Sequence, residues 1–182
     1  MSEVEKSVEI ERKFHMTGKI PVGLKIAKRV GISQWYVPSP EGEVRYRLTE
    51  DDDGLFVSFE KTIKTGEGLT RTEETTKYTS EEMVKQFGES GANLGEPLSK
   101  FRSSIMLGNC EVVVDTVFTM MKKDSLDIFD IEVDSMYVEV EFDSEEEANA
   151  FFPPVWFGHE VTGQKEHSMS SIYKRLLSEA GY

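Results

Sequence analysis

Residues 8–14 read Val-Glu-Ile-Glu-Arg-Lys-Phe, and they are the most informative part of the sequence. Glu9, Glu11 and Lys13 alternate with apolar residues. Because successive side chains of a β-strand point to opposite faces, the three charged side chains share one face of a predicted strand. Two carboxylates and an ammonium group on one face can hold a divalent cation and the phosphate bound to it. An edge strand with a solvated face has the same pattern, so the interpretation depends on whether other strands repeat it.

Six further segments repeat this alternation of charged and apolar residues. Their charged positions are Arg45, Arg47, Lys64, Arg71, Glu73, Lys100, Arg102, Asp115, Glu139 and Glu141. With the first triplet they make seven basic and six acidic positions, whereas the whole chain has 21 basic and 34 acidic residues. The predicted strand faces are therefore enriched in positive charge relative to the chain.

Strand-like segments joined by short turns make up most of the sequence. The predicted strands cover residues 4–16, 32–37, 43–49, 55–64, 69–78, 99–107, 111–118, 137–142 and 159–164. Turn signals at residues 65–68 and 108–109 favour hairpins and antiparallel pairing. A twisted sheet of this many strands can close into a barrel, with the charged face lining the interior.

Helices are fewer, and their boundaries have local signals. Capping boxes at residues 79–82 and 144–147 predict the starts of two short helices. An amphipathic pattern predicts a C-terminal helix from Ser168 to near Gly181, packed on the sheet. Residues 21–29 are a further candidate for a short helix.

Composition restricts the class of protein. The chain has 182 residues, of which 38% are hydrophobic and 30% charged, which is typical of one soluble globular domain. Its net charge of −13 argues against broad nucleic-acid binding, which relies on basic surface. The single cysteine, Cys110, excludes an intrachain disulfide, and no apolar stretch is long enough for a membrane span. We expect a cytoplasmic monomer or homodimer that acts on a small molecule.

A charged barrel interior needs an explanation, because desolvating unpaired charges is unfavourable. For any one strand, a polar face open to water is the simpler interpretation. Across seven strands, a water-filled interior that holds a polyanion and hard cations accounts for the repeated pattern. Arginine and lysine bind phosphate oxygens, and the carboxylates of Glu9, Glu11, Glu139 and Glu141 suit Mg²⁺ or Mn²⁺. This combination favours metal-dependent cleavage of a phosphoanhydride, without a covalent nucleophile.

The charged motifs also occur in a characteristic order. They are Glu9-x-Glu11-x-Lys13-Phe14, Gln34-x-Tyr36, Arg45-x-Arg47, Thr62-x-Lys64, Arg71-x-Glu73, Lys100-x-Arg102, Asp115 and Glu139-x-Glu141. This ordered set, over about residues 5–178, resembles the CYTH domain superfamily, the triphosphate tunnel metalloenzymes. One departure lies near the C-terminus, where the family often has Tyr-x-Asn and this chain has His167-Ser-Met169.

The resemblance implies an α+β fold: an antiparallel eight-stranded closed β-barrel (tunnel) with helices packed outside, as a single domain over residues 1–182. It implies that a triphosphate is bound by Lys13, Arg45, Arg47, Lys64, Arg71, Lys100 and Arg102. It implies Mg²⁺ or Mn²⁺ bound mainly by Glu9, Glu11, Glu139 and Glu141, with Glu73 and Asp115 assisting. The implied catalytic residues are Glu9, Glu11, Lys13 and Glu141, with water attacking the terminal phosphorus.

Three functions are compatible with these motifs. The favoured hypothesis is a metal-dependent triphosphatase acting on inorganic triphosphate. An adenylate cyclase of the class IV type would use the same triphosphate and metal contacts, and a non-catalytic binder of nucleotides or polyphosphate would keep the basic side chains. The four glutamates of the predicted metal site argue against the binder, which has no need of metal ligands.

Overall fold

The computed structural model describes residues 4–39, 42–65, 69–108, 110–123 and 128–181. Within these residues the strands are β1 (Val4–Met16), β2 (Ile26–Ser39), β3 (Gly42–Glu50), β4 (Phe56–Thr65), β5 (Thr70–Tyr78), β6 (Leu98–Leu107), β7 (Cys110–Lys123), β8 (Ile128–Glu141) and β9 (His159–Glu160). The α-helices are α1 (Ser80–Phe87), α2 (Glu145–Ala150) and α3 (Met169–Ala180). Short 3₁₀ helices cover Glu89–Leu94, Val155–Phe157 and Lys165–His167.

The first eight strands form a closed antiparallel barrel. Their order is β5-β4-β3-β2-β6-β7-β8-β1, and a further pairing between β1 and β5 closes the ring. Residues 4–10 of β1 pair with β5, whereas residues 11–16 pair with β8 on the other side. The two-residue strand β9 extends the sheet by pairing with Phe14 and His15. The predicted α+β fold with an eight-stranded closed barrel is confirmed.

Apolar side chains on the outer face of the barrel form two buried clusters. In the first, Phe14 packs edge to face against Phe157, with 5.1 Å between the ring centroids. In the second, Trp35 and Phe59 pack with Met83 of α1. Each fully buried side chain of this size contributes roughly 1.5–3 kcal/mol. The outer face therefore supplies hydrophobic stabilisation and leaves the inner face to charged residues.

A third apolar cluster closes one end of the barrel interior. Leu98, Val117 and Tyr137 point inward, since each lies two residues along its strand from an inward-facing charged residue. They pack against Met169 and Ile172 of α3. Helix α3 was predicted to pack on the sheet, and it does so across the end of the barrel.

The helix signals in the sequence have mixed outcomes. Both hydrogen bonds of the Thr79 capping box are present, whereas at α2 the Ser144 side chain accepts from the backbone N–H of Glu147. The C-terminal helix predicted from Ser168 begins at Met169, with Ser168 as its N-cap. The helix predicted over residues 21–29 is wrong, because β2 begins at Ile26. Pairing of residues 26–29 with β6 overrides the local preference there. Among the described residues, no helix has the length and apolar character needed to cross a membrane.

The lengths of strands β2, β7, β8 and β9 differ most from the predictions. Strands β7 and β8 are longer than predicted and pair as far as Lys123 and Ile128. The predicted strand over residues 159–164 is reduced to the two residues of β9. Residues 66–68 and Asn109, which belong to the predicted hairpin turns, lie outside the described residues.

Gly158 lies where the chain passes closest to β1, and it provides a test of this packing. Its φ is 85°, and an added Cβ would lie 2.2 Å from the backbone oxygen of His15. We expect Gly158→Ala to lower the free energy of unfolding by more than about 2 kcal/mol, measured by urea denaturation.

The matched control is Gly95→Ala. Gly95 has a φ of 85° and a ψ of −157°, close to the 85° and −144° of Gly158, but its added Cβ meets no atom within 4 Å. This variant is expected to lose less, because only the backbone conformation is strained, at a cost of about 1–3 kcal/mol. Equal losses at the two positions would contradict the close contact with β1.

Candidate active site

The charged faces of the strands converge on one cavity of about 530 Å³ inside the barrel. Twelve of the thirteen predicted site residues line it: Glu9, Glu11, Lys13, Arg45, Arg47, Lys64, Arg71, Glu73, Lys100, Arg102, Glu139 and Glu141. The thirteenth, Asp115, lies in the wall of the barrel, where it contacts Lys100 and Arg102. Alternation along the strands and closure of the ring thus place predicted residues from six strands around one volume, with Asp115 of a seventh strand in the wall.

Guanidinium groups give the cavity buried hydrogen-bond donors that lack acceptors. The Nε atoms of Arg45, Arg47 and Arg71 have no hydrogen-bond partner within the described part of the chain. Arg45 does donate from Nη2 to Thr62 Oγ1, at 3.0 Å. Burial, and then the neighbouring charges of Arg45 and Arg102, lower the pKa of Arg47 to about 10. Unpaired buried donors are unfavourable, so these groups are suited to an anion that enters the cavity.

Carboxylates form the complementary part of the cavity. Glu11 and Glu141 are directly opposite each other on β1 and β8. Burial, and then the charges of Glu139 and Glu9, raise the pKa of Glu11. Glu141 is in contact with solvent, yet partial burial and then the charge of Glu11 raise its pKa as well. Like charges held at short range have this effect, which a divalent cation would relieve.

The chemistry of these donors fits a hard divalent cation, but the carboxylates also have protein partners. Arg71 Nη2 contacts both Glu9 and Glu11, and Lys64 contacts Glu9 and Glu73. Although burial opposes it, the charge of Lys64 lowers the pKa of Glu73 to about 2. As they stand, no three His, Cys, Asp or Glu side chains within the described ranges are placed to hold a metal ion. An ion bound by Glu9 and Glu11 would take the place of Arg71, so metal binding stays a prediction.

A chain of alternating charges runs around the wall from β6 to β1. Lys100 Nζ lies 2.5 Å from Asp115 Oδ2, and Arg102 binds the same carboxylate through two nitrogens at 2.8 and 2.7 Å. Arg102 Nη2 also donates to Glu139 Oε2 at 2.8 Å, and Glu139 Oε1 lies 3.1 Å from Lys13 Nζ. Against the effect of burial, Arg102 and then Lys100 lower the pKa of Asp115. The metal-binding role predicted for Asp115 stays a prediction.

Sequence reasoning missed several residues that line the cavity. Glu60 and Thr75 lie on the charged faces of β4 and β5, two residues from Thr62 and Glu73, so the same alternation could have identified them. Residues 161–165 and 167–170 also line the cavity, although they have no strand periodicity that could predict it. In this segment His167 Nδ1 lies 3.0 Å from Tyr137 Oη. The segment that departs from the family pattern is therefore part of the cavity wall.

The fold and the site together define a class of protein, an antiparallel eight-stranded β-barrel whose interior is lined by basic and acidic side chains. The chain is 33% identical over 166 residues to an inorganic triphosphatase from Nitrosomonas europaea, covering 90% of this chain and 95% of that protein. The chain therefore belongs to the CYTH domain superfamily, the triphosphate tunnel metalloenzymes.

Solved structures agree with this assignment. The crystal structure of the inorganic triphosphatase NE1496 is similar with a TM-score of 0.52 and 27% identity, covering 90% of this chain and 93% of that one. The PH1819 protein from Pyrococcus horikoshii OT3 shares the fold, with a TM-score of 0.52 and 15% identity over 95% of this chain and 90% of that one. No protein-family model matches the chain.

The opposite pKa shifts at Glu139 and Glu141 predict opposite effects on stability. Despite burial, Lys13 and Arg102 hold the pKa of Glu139 well below its ordinary value of 4.5. The ionised carboxylate of Glu139 therefore stabilises the fold at pH values above 4.5, and this stability is lost as the pH falls through the lowered pKa. At pH 7, Glu139→Gln is expected to lower the free energy of unfolding by about 3 kcal/mol, which corresponds to a fall in Tm of ~6–12 °C.

Glu141→Gln is expected to raise Tm at pH 7 when EDTA is present. Because the pKa of Glu141 is raised in the folded state, the stability that its proton provides is lost as the pH rises through the raised pKa. The glutamine removes this loss, and the gain over wild type disappears as the pH falls toward 4.5. Thermal unfolding followed by circular dichroism from pH 4.5 to 7 measures both variants, and a lower Tm for Glu141→Gln at pH 7 would contradict the shift.

Proposed function

We propose that this protein is a metal-dependent triphosphatase that hydrolyses inorganic triphosphate. The observation that carries the proposal is the set of unpaired Nε donors of Arg45, Arg47 and Arg71, buried in the same cavity as a group of carboxylates. A triphosphate presents several anionic oxygens, and arginine recognises them with directed, charge-assisted hydrogen bonds. The name of the relative from Nitrosomonas europaea supports inorganic triphosphate as the substrate.

Each side chain has a defined task in this proposal. The phosphates are bound by Lys13, Arg45, Arg47, Lys64, Arg71, Lys100 and Arg102. Glu9, Glu11, Glu139 and Glu141 would hold Mg²⁺ or Mn²⁺, which would supply neutralisation of phosphate charge and activation of a water molecule. Lys64 and Arg71 contact Glu9 in the structure and line the cavity, and they would be free to bind phosphate oxygens if a cation took their place at that carboxylate.

Some of the lining residues also take part in the chemical step of this scheme. Glu11 lies opposite Glu141, and two residues further along β1 Lys13 lies opposite Glu139, with 3.1 Å between Lys13 Nζ and Glu139 Oε1. Lys13 is therefore placed to stabilise charge on a phosphate next to the carboxylates, which makes Glu9, Glu11, Lys13 and Glu141 the proposed catalytic residues. Water is the nucleophile in this scheme.

A product assay tests the proposal directly. Purified protein is incubated with inorganic triphosphate, ATP or thiamine triphosphate, each with Mg²⁺ or Mn²⁺, and the products are separated by ion-exchange chromatography. We expect phosphate and pyrophosphate from inorganic triphosphate, and no turnover in EDTA. Cyclic AMP and pyrophosphate from ATP would identify a cyclase, and binding without turnover of any substrate would identify a binding protein.

Glu11→Gln separates the metal site from phosphate binding. We expect kcat for inorganic triphosphate to fall about 100-fold, because a metal ligand contributes mainly to the chemical step. The matched control is Arg47→Ala, which removes a phosphate donor and is expected to raise KM about 10-fold with a smaller effect on kcat. Steady-state kinetics at saturating Mg²⁺ measures both, and unchanged activity of Glu11→Gln would rule out its assignment.

A further inference from the structure

Asp115 differs from the other acidic residues of the site in its surroundings. Its side chain is 0% exposed, and it lies in the barrel wall on β7. Both of its oxygens already have cationic donors: Oδ1 accepts from Arg102 Nε, and Oδ2 accepts from Arg102 Nη2 and Lys100 Nζ. This is the fork geometry in which arginine binds carboxylates most strongly.

A metal ion at Asp115 would require one of these cations to leave. Lys100 is 1% exposed, and Asp115 is the carboxylate within hydrogen-bond distance of its ammonium group. Loss of that contact would leave a buried ammonium without its counter-ion, which is strongly unfavourable. Glu141 provides the contrast, because it has no hydrogen-bond or ion-pair partner within the described residues and faces the cavity.

Asp115 also fixes the direction of the cations that it binds. Lys100 and Arg102 are both flexible side chains that line the cavity, and one rigid carboxylate on the neighbouring strand holds them together. Arg102 continues the array to Glu139, which faces Lys13. Cations held in fixed positions bind a polyanion with less loss of side-chain entropy than mobile ones.

We infer that Asp115 is a positioning residue, which orients Lys100 and Arg102 toward the triphosphate and is not a ligand of the metal ion. This role rests on the proposed function, because it concerns triphosphate binding in the same tunnel. It assigns Asp115 differently from the family resemblance, which groups it with the metal ligands. The carboxylates of the tunnel thus divide into those that line the cavity and Asp115, which does not line it and binds two basic side chains that do.

The test measures anion and metal binding separately. Isothermal titration calorimetry gives the Kd of inorganic triphosphate in EDTA, and electron paramagnetic resonance of free Mn²⁺ gives the Kd of Mn²⁺ without triphosphate. For Asp115→Asn we expect triphosphate binding to weaken about 10-fold and Mn²⁺ binding to change less than about 2-fold. The contrasting variant, Glu141→Gln, removes a carboxylate that faces the cavity, so it is expected to weaken Mn²⁺ binding without weakening metal-free triphosphate binding.

Weakened Mn²⁺ binding by Asp115→Asn, or unchanged triphosphate binding, would overturn the inference. A second measurement needs no variant, in case Asp115→Asn does not fold. In wild-type protein labelled with ¹³C, Mg²⁺ titration is expected to shift the carboxyl resonances of Glu11 and Glu141 but not that of Asp115, and a saturable shift of Asp115 would overturn the inference. A wild-type protein that binds triphosphate and Mn²⁺ without hydrolysis would refute the triphosphatase and leave the role of Asp115 intact.

Discussion

The pairing of β1 with two strands that are distant in sequence is the constraint on which the rest of the structure depends. Its first half pairs with β5 and its second half with β8, so this one strand closes the ring. Glu9 lies opposite Arg71 on one side, and Glu11 lies opposite Glu141 on the other. Without that closure, the same residues would form one wet face of an open sheet, with no enclosed volume between them.

Charge compensation makes this closed interior tolerable. Most of the buried charges are paired, as in the array from Lys100 through Asp115 and Arg102 to Glu139. Both carboxylate oxygens of Asp115 and one of Glu139 accept hydrogen bonds within this array. Pairs of this kind offset their desolvation but add little net stability, so the hydrophobic outer face has to stabilise the fold. The Nε donors without acceptors and the carboxylates that repel one another are not compensated within the protein. A ligand that pairs with these groups would remove the cost of leaving them unpaired.

The sequence predicts those features that are local or periodic. Strand β1 was predicted over the residues it occupies, because its alternation is unbroken, and Thr79 was identified from its capping box. The helix over residues 21–29 was wrong because long-range ladder pairing decides that segment. The partners of Asp115 depend on the register between β6 and β7, which places Arg102 opposite it, and no spacing within one strand encodes a register. The cavity-lining residues between Val161 and Ser170 lie in a turn, a short 3₁₀ helix and the start of α3. Their sequence has no regular alternation from which contact with the cavity could be predicted.

Helix α3 covers one end of the barrel with apolar side chains, and this affects how a ligand can enter and leave the interior. Leu98, Val117 and Tyr137 meet Met169 at that end, so the lumen has a dry end and a wet end. If the protein is the triphosphatase proposed above, a phosphate chain that enters from the wet end would stop at this apolar surface, and the products would leave by the same end. A barrel closed in this way would be filled and emptied in turn, and a long polymer could not be threaded through it and shortened processively.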